Sequence, residues 1–131
     1  MTDSDLCFLG AVEARRLMAE SRISSEALVS SCLARIAEHE PTIGAWSFLD
    51  TALALDSARE ADRRRKSGRA VGLLNGIPVG LKDIFDTADM PTEMGSRIHK
   101  DRRPMRDSAV AERLRAAGAV ILGKTVTTEF A

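Results

Sequence analysis

The sequence predicts an α/β fold in one domain, with helices over about residues 1–70 followed by the strand, helix and strand that open a mixed-sheet core over about 71–131. Three observations predict it. Capped segments with helical spacing of apolar residues fill the first half, that spacing disappears after Gly72 in favour of β-branched and turn-forming residues, and a continuous apolar run, Ala119 to Leu122, follows a helical segment directly. No internal repeat, low-complexity tract or linker divides the chain.

In the first helical segment Leu9, Val12 and Leu17 share a side and the segment ends near Ser21. Ser24 and Ser25 then precede Leu28, Cys32 and Ile36 at spacing four, with Val29 and Leu33 beside them and Pro41 beyond; this is a capped amphipathic helix over about 24–39. The two are expected to pack as a hairpin. Trp46 and Phe48 follow as core anchors. A third helix starts at Thr51, runs through Leu53, Leu55, Ala58 and Ala61, and closes on Arg63-Arg64-Arg65-Lys66 before Gly68. That basic end complements the helix dipole and reads as solvated surface. Gly76-Ile77-Pro78-Val79-Gly80-Leu81-Lys82-Asp83 reads as a strand over about 77–83. A loop from Asp86 to Pro104 follows, long enough to be functional. Asp107 is placed as the cap of a helix with Val110, Leu114 and Ala117 inward and Gly118 as its stop. Ala119-Val120-Ile121-Leu122 is a strand covered on both faces.

The chain has 131 residues, of which 44% are apolar and 29% charged, with 19 Lys plus Arg against 19 Asp plus Glu. Zero net charge argues against bulk-electrostatic nucleic-acid binding, and direct nucleic-acid contact is not predicted. No apolar run approaches a membrane span, and Asp3 and Asp5 stand where a secretory leader would be basic and then apolar. The expectation is a cytoplasmic protein that does not enter a membrane. Cys7 and Cys32 lack metal or disulfide-framework spacing, and His39 and His99 lack ligand-like company, so neither a metal nor a cofactor is predicted. Lys100-Asp101-Arg102-Arg103 with Arg106 has no interleaved aromatics and reads as surface.

Gly118-Ala-Val-Ile-Leu-Gly123-Lys124-Thr125 spells a phosphate-binding loop and so raises nucleotide binding as a rival function. That mechanism needs a strand before the first glycine and a helix starting at the Lys-Thr. Here the intervening residues are themselves the strand, and the helix comes first. Gly118 then caps a helix and Gly123 ends a strand.

Alternation along Ile77 to Asp83 puts Ile77, Val79 and Leu81 on one face and Pro78, Gly80 and Lys82 on the other. Gly80 leaves room for a backbone or a substrate to approach Lys82. Were the strand interior, burial would disfavour the ammonium form and leave an amine able to accept a proton. The alternative is an edge-strand lysine in water, or one paired with Asp83 or Asp86; composition alone favours it, because charged residues are seldom fully buried.

Gly76-Ile-Pro-Val-Gly-Leu-Lys82-Asp83, then Asp86-Thr87, Pro91-Thr92 through Gly95-Ser96, Asp107 through Thr125 and Glu129-Phe130-Ala131 together resemble the amino-terminal part of the amidase signature family. The match runs in order over roughly half of the chain, and Ile23-Ser24-Ser25 to Arg35-Ile36 is similar to that family's leading helices. The resemblance reverses the weighting on Lys82. It implies an incomplete amidase signature fold, with residues 1–131 the amino-terminal part of a single amidase domain. It also implies a triad of serine, a second serine preceded by a cis peptide bond, and lysine, which hydrolyses a carboxamide to a carboxylate and ammonia or an amine. Lys82 matches the lysine, as general base.

Both serines lie, in the family, in a Gly/Ser-rich segment beyond the Glu-Phe-Ala element. The chain alone is therefore expected to be inactive and to need the carboxyl-terminal part of the domain as partner, with a small-molecule amide as substrate and homo-oligomerisation left open. Ser96 matches a loop position and is expected to hold a turn; Asp83 is expected to orient the strand end. Ile84 and Val126 depart from the family, where asparagine is common. A terminal strand near Leu122 is expected to lose its neighbours, leaving a marginal or aggregating polypeptide. The rival from another class is a truncated, noncatalytic interaction module.

Overall fold

A computed structural model describes residues 3–131; Met1 and Thr2, part of the acidic start weighed above, lie outside the described residues. A 3-10 helix at Asp3–Phe8 leads into α1 (Ala11–Ala19), α2 (Ser25–Ile43), β1 (Trp46–Leu49) and α3 (Thr51–Lys66). Then come β2 (Pro78–Lys82), a loop with a 3-10 turn at Arg97–His99, α4 (Ala109–Ala116) and β3 (Val120–Thr125). The three strands form one mixed sheet in the order β1-β3-β2, with β3 antiparallel to β1 and parallel to β2. Among the described residues no helix is long and apolar enough to cross a membrane.

The start of α2 is held from two sides. Ser24 is extended and its hydroxyl accepts from the Ala27 amide at 3.0 Å, while the Asp62 carboxylate on α3 accepts from the Ser25 and Glu26 amides at 2.9 and 3.1 Å. Three of the four amides that a helix start leaves without partners are thereby satisfied. The Ser25 hydroxyl donates to the Gly76 carbonyl at 2.8 Å, fastening the same helix end to the approach of β2. α2 runs past its expected end and carries Pro41 in its last turn; Gly44 closes it at φ +60°. Proline's fixed φ is itself helical, so near a terminus it costs little, and the left-handed glycine ends the helix.

The expected hairpin is not what forms. α2 packs mainly on α3 and the 3-10 helix, and α1 contributes Ala14 and Met18 to a cluster with Leu6, Leu28 and Ile77. Val12 is exposed, because the inward face of α1 is Ala14, Leu17 and Met18. On one sheet face Val120 and Leu122 meet Val29 and Leu33 of α2 and Ala54 and Ala58 of α3. On the other, Leu81 and Ile121 meet Met90 and Ala111. Burying each of the branched strand residues is worth about 1.5–3 kcal/mol, and the alanines let the helices approach closely.

Four expectations are corrected here. Trp46–Leu49 is a strand, too short to announce itself between two helices. The cap of α4 is Ser108, whose hydroxyl accepts from the Ala111 amide at 3.3 Å, and in the first turn it is Ala111 that is buried while Val110 is exposed. β3 does not end near Leu122 but continues through Thr125, so Gly123 and Lys124 lie inside a strand. Finally, β3 is the covered central strand, and the sheet edges are β1 and β2. No helix starts at Lys124-Thr125, so the strand–loop–helix context of a phosphate loop is not formed.

Both ladders that flank β3 slip by a residue, between Val79 and Gly80 on β2 and between Trp46 and Phe48 on β1. The slip against β2 falls just before Gly123, and the slip against β1 falls at Lys124 and Thr125. A Cβ at Gly123 would come 2.2 Å from the Phe48 carbonyl oxygen, so only glycine admits the backbone of β1. After the slip, Lys124 is opposite Leu81 and Phe48, both of which pack with Ile121.

Candidate active site at the carboxyl end of the parallel strands

β2 and β3 run the same way, so their carboxyl ends, Lys82 and Thr125, lie side by side in register. In open α/β sheets that edge is where ligands bind. Lys82 is the last residue of β2 and is exposed. The expected desolvation is absent from this chain, because β2 forms the sheet edge; the edge-strand alternative describes Lys82 here. The space left by Gly80 is occupied as well. A Cβ at Gly80 would sit 3.0 Å from the Trp46 ring and 3.2 Å from the Thr125 methyl, so the glycine admits an indole from β1 rather than a second backbone.

Behind the exposed lysine the chain is clamped. Asp83 is 2% exposed; its amide donates to the Thr125 carbonyl at 2.9 Å, its carbonyl accepts from the Met94 amide at 3.0 Å, and its carboxylate accepts from the Glu93 amide at 3.3 Å. Burial pushes the Asp83 carboxyl above the usual carboxylate range, against the pull of the Glu93 amide and of Lys124. Asp83 orients the strand end, as expected.

Sequence reasoning missed Lys124. Among the described residues it is the largest fully buried side chain, at 0% exposure, and its ammonium donates to the Phe85 carbonyl at 2.8 Å, the Pro91 carbonyl at 3.1 Å and the Thr92 hydroxyl at 2.6 Å. Asp83 lies 3.8 Å away. Burial lowers the Lys124 pKa, with Asp83, Asp86 and Asp89 pulling the other way. Three acceptors around three N–H groups match the ammonium form. The available signal was a lysine in line with the apolar run Ala119 to Leu122, facing three upstream aspartates.

The rest of the loop is ordered by its own polar groups. Arg102 grips Asp86 through both nitrogens at 2.7 and 2.9 Å, which holds the Asp86 carboxyl below the usual range. Arg102 is thus engaged within the loop. The Ser96 hydroxyl accepts from the Ile98 amide at 3.3 Å and donates to Glu129 at 2.7 Å, so it holds a turn, as expected. A cleft of about 500 Å³ opens beside this loop, between Asp86, Met94, Arg102 and Met105. Chemically, the arrangement offers a primary amine at the shared carboxyl end of β2 and β3, mounted on a rigid base.

The Amidase family model matches residues 27–131. A glutamyl-tRNA(Gln) amidotransferase subunit of Chloroflexus aurantiacus is 44% identical over 128 residues, covering 98% of this chain and 26% of that protein. The native peptide amidase of Stenotrophomonas maltophilia is 40% identical with a TM-score of 0.83, covering 89% of this chain and 24% of its own. An inhibitor-bound complex connected with the origins of an s-triazine catabolic enzyme contains a chain 31% identical with a TM-score of 0.89, covering 94% of this chain and 27% of its own. The chain spans about a quarter of the length of the curated relatives it matches.

Proposed function

Because the chain belongs to the amidase family, we propose that Lys82 is the general base of an amidohydrolase that cleaves a carboxamide to a carboxylate and ammonia or an amine. The observation that carries this reading is the placement of Lys82 at the shared carboxyl end of β2 and β3, with Asp83 fixed behind it. In the assembled domain the Lys82 amine is shielded and neutral. It takes a proton through the bridging serine, whose preceding peptide bond is cis, and so activates the nucleophilic serine. That serine adds to the amide carbonyl; the proton returns to the leaving nitrogen, ammonia or amine departs, and water releases the acyl group as carboxylate. The proposed chemistry calls on no metal or cofactor.

Both serines belong to the Gly/Ser-rich segment beyond Glu129-Phe130-Ala131, so this chain brings the base and the downstream segment brings the nucleophile. The test is amide hydrolysis by the 131-residue chain alone, by the chain together with the downstream segment, and by that pair carrying Lys82→Ala. Turnover is expected only in the second, with the Lys82→Ala pair still folded. Hydrolysis by the chain alone, or by the Lys82→Ala pair, would overturn the reading. Lys82→Arg should be equally inactive, since guanidinium does not release its proton at accessible pH.

A further inference from the structure

We infer that Lys124 is a positioning residue for Lys82, holding it from the opposite sheet face through the loop that begins at Asp83. The inference rests on the assignment of Lys82 as base. The three ammonium bonds of Lys124 reach both limbs of one excursion, Phe85 on the outgoing limb and Pro91 and Thr92 on the return. The same return limb supplies the Glu93 amide to the Asp83 carboxylate and the Met94 amide to the Asp83 carbonyl. Asp83 is the residue after Lys82, and its amide is bonded to β3 one residue beyond Lys124, at Thr125. A closed circuit therefore runs from β3 through the ammonium, around the loop, into Asp83 and back to β3, and Lys82 is the first residue outside it.

Packing alone does not call for a lysine here. Its strand partner Leu81 belongs to an apolar cluster with Met90, Ala111 and Ile121, and burying an ammonium beside such a cluster is costly unless its hydrogen bonds are all made. The slip between β2 and β3 just before Gly123 pairs Lys124 with Leu81, on the face from which its ammonium reaches the loop, and Gly123 itself admits the Phe48 carbonyl of β1. The charged groups around the ammonium are Asp83, Asp86, Asp89 and Arg102. The Asp86–Arg102 pair, 2.7 Å apart, further stiffens the loop.

The experiment compares Lys124→Met, Thr92→Val and Thr92→Ser in the amidase assembled from this chain and its downstream segment, reading kcat, KM and thermal midpoint. Misplacing a catalytic group by about 1 Å costs roughly 100-fold in rate. Lys124→Met is expected to lower kcat by about that factor with KM within about twofold, since substrate binding is untouched. Thr92→Val, which removes one acceptor and leaves Lys124 in place, should lower kcat by about tenfold, and Thr92→Ser, which restores the hydroxyl, should recover it. Should Lys124→Met fail to fold, the threonine pair decides. Lowered thermal midpoints with kcat unchanged in both Lys124→Met and Thr92→Val would overturn the inference and leave Lys82 as base. Full turnover in Lys82→Ala would overturn the base assignment and this inference with it, through a variant that leaves the Lys124 circuit intact.

Discussion

Replacing Asp62 by alanine tests the account of how α2 is fixed to the rest of the fold. The carboxylate is buried and accepts from the Ser25 and Glu26 amides at 2.9 and 3.1 Å and from Arg65 at 2.6 Å. Truncation strands two amides of the first helical turn, each worth about 1.5 kcal/mol when bonded to a charged acceptor, and leaves a half-enclosed guanidinium without its partner. The summed loss is about 3 kcal/mol, more than the roughly 2 kcal/mol upper end of a single cap deletion because two amides are stranded. For a domain of this size that lowers the thermal midpoint by roughly 10 °C. Urea unfolding followed by circular dichroism measures the difference directly, with Ser24→Ala as the internal standard at about 1 kcal/mol. Asp62→Asn should fall between the two, because one oxygen acceptor survives. A loss below about 1 kcal/mol for Asp62→Ala would refute the reasoning, since water would then be replacing the carboxylate as acceptor for the two amides.

Gly123→Ala forces a methyl against the Phe48 carbonyl, so β1 should detach at a cost of about 1–3 kcal/mol; red-shifted emission from Trp46, the single tryptophan, reports it. The Asp86 carboxyl, held low by Arg102, stays ionised where the unfolded chain's would take a proton; its stabilisation is complete above about pH 4 and lost on further acidification. Arg102→Met should flatten that acid limb in unfolding curves recorded from pH 5 downward. Burial raises the Cys32 thiol to about 11, so alkylation at pH 8 should run about a hundredfold slower than for an exposed thiol, followed by mass spectrometry; equal rates would contradict the packing around it. Ser108→Ala should weaken the α4 cap by about 1 kcal/mol, by the same urea measurement.

Elements whose ends are written in local chemistry were legible from the residues alone. Ser24 before an amphipathic stretch marks the start of α2, and the basic turn before Gly68 marks the end of α3, because capping and dipole effects act within a few residues. Lys82 and Asp83 were legible as a strand end. What stayed hidden depends on residues distant in the chain. β1 exists only because β3 offers it a ladder, and the length of β3 only because Gly123 lets Phe48 come close. Lys124 spells a surface cation, and nothing local says that two carbonyls and a hydroxyl from a loop more than thirty residues earlier will surround it. The exposure of Lys82 was likewise a matter of sheet order, which alternation along one strand does not encode.

The parallel pairing of β2 and β3 has a consequence for whatever is joined after Ala131. Past Thr125 the backbone doubles back over the loop that follows Lys82: the Val126 amide bonds Ala45, Glu129 receives the Ser96 hydroxyl, and the Phe130 amide reaches Met94. A continuing polypeptide therefore sets out from the rim on which the lysine stands.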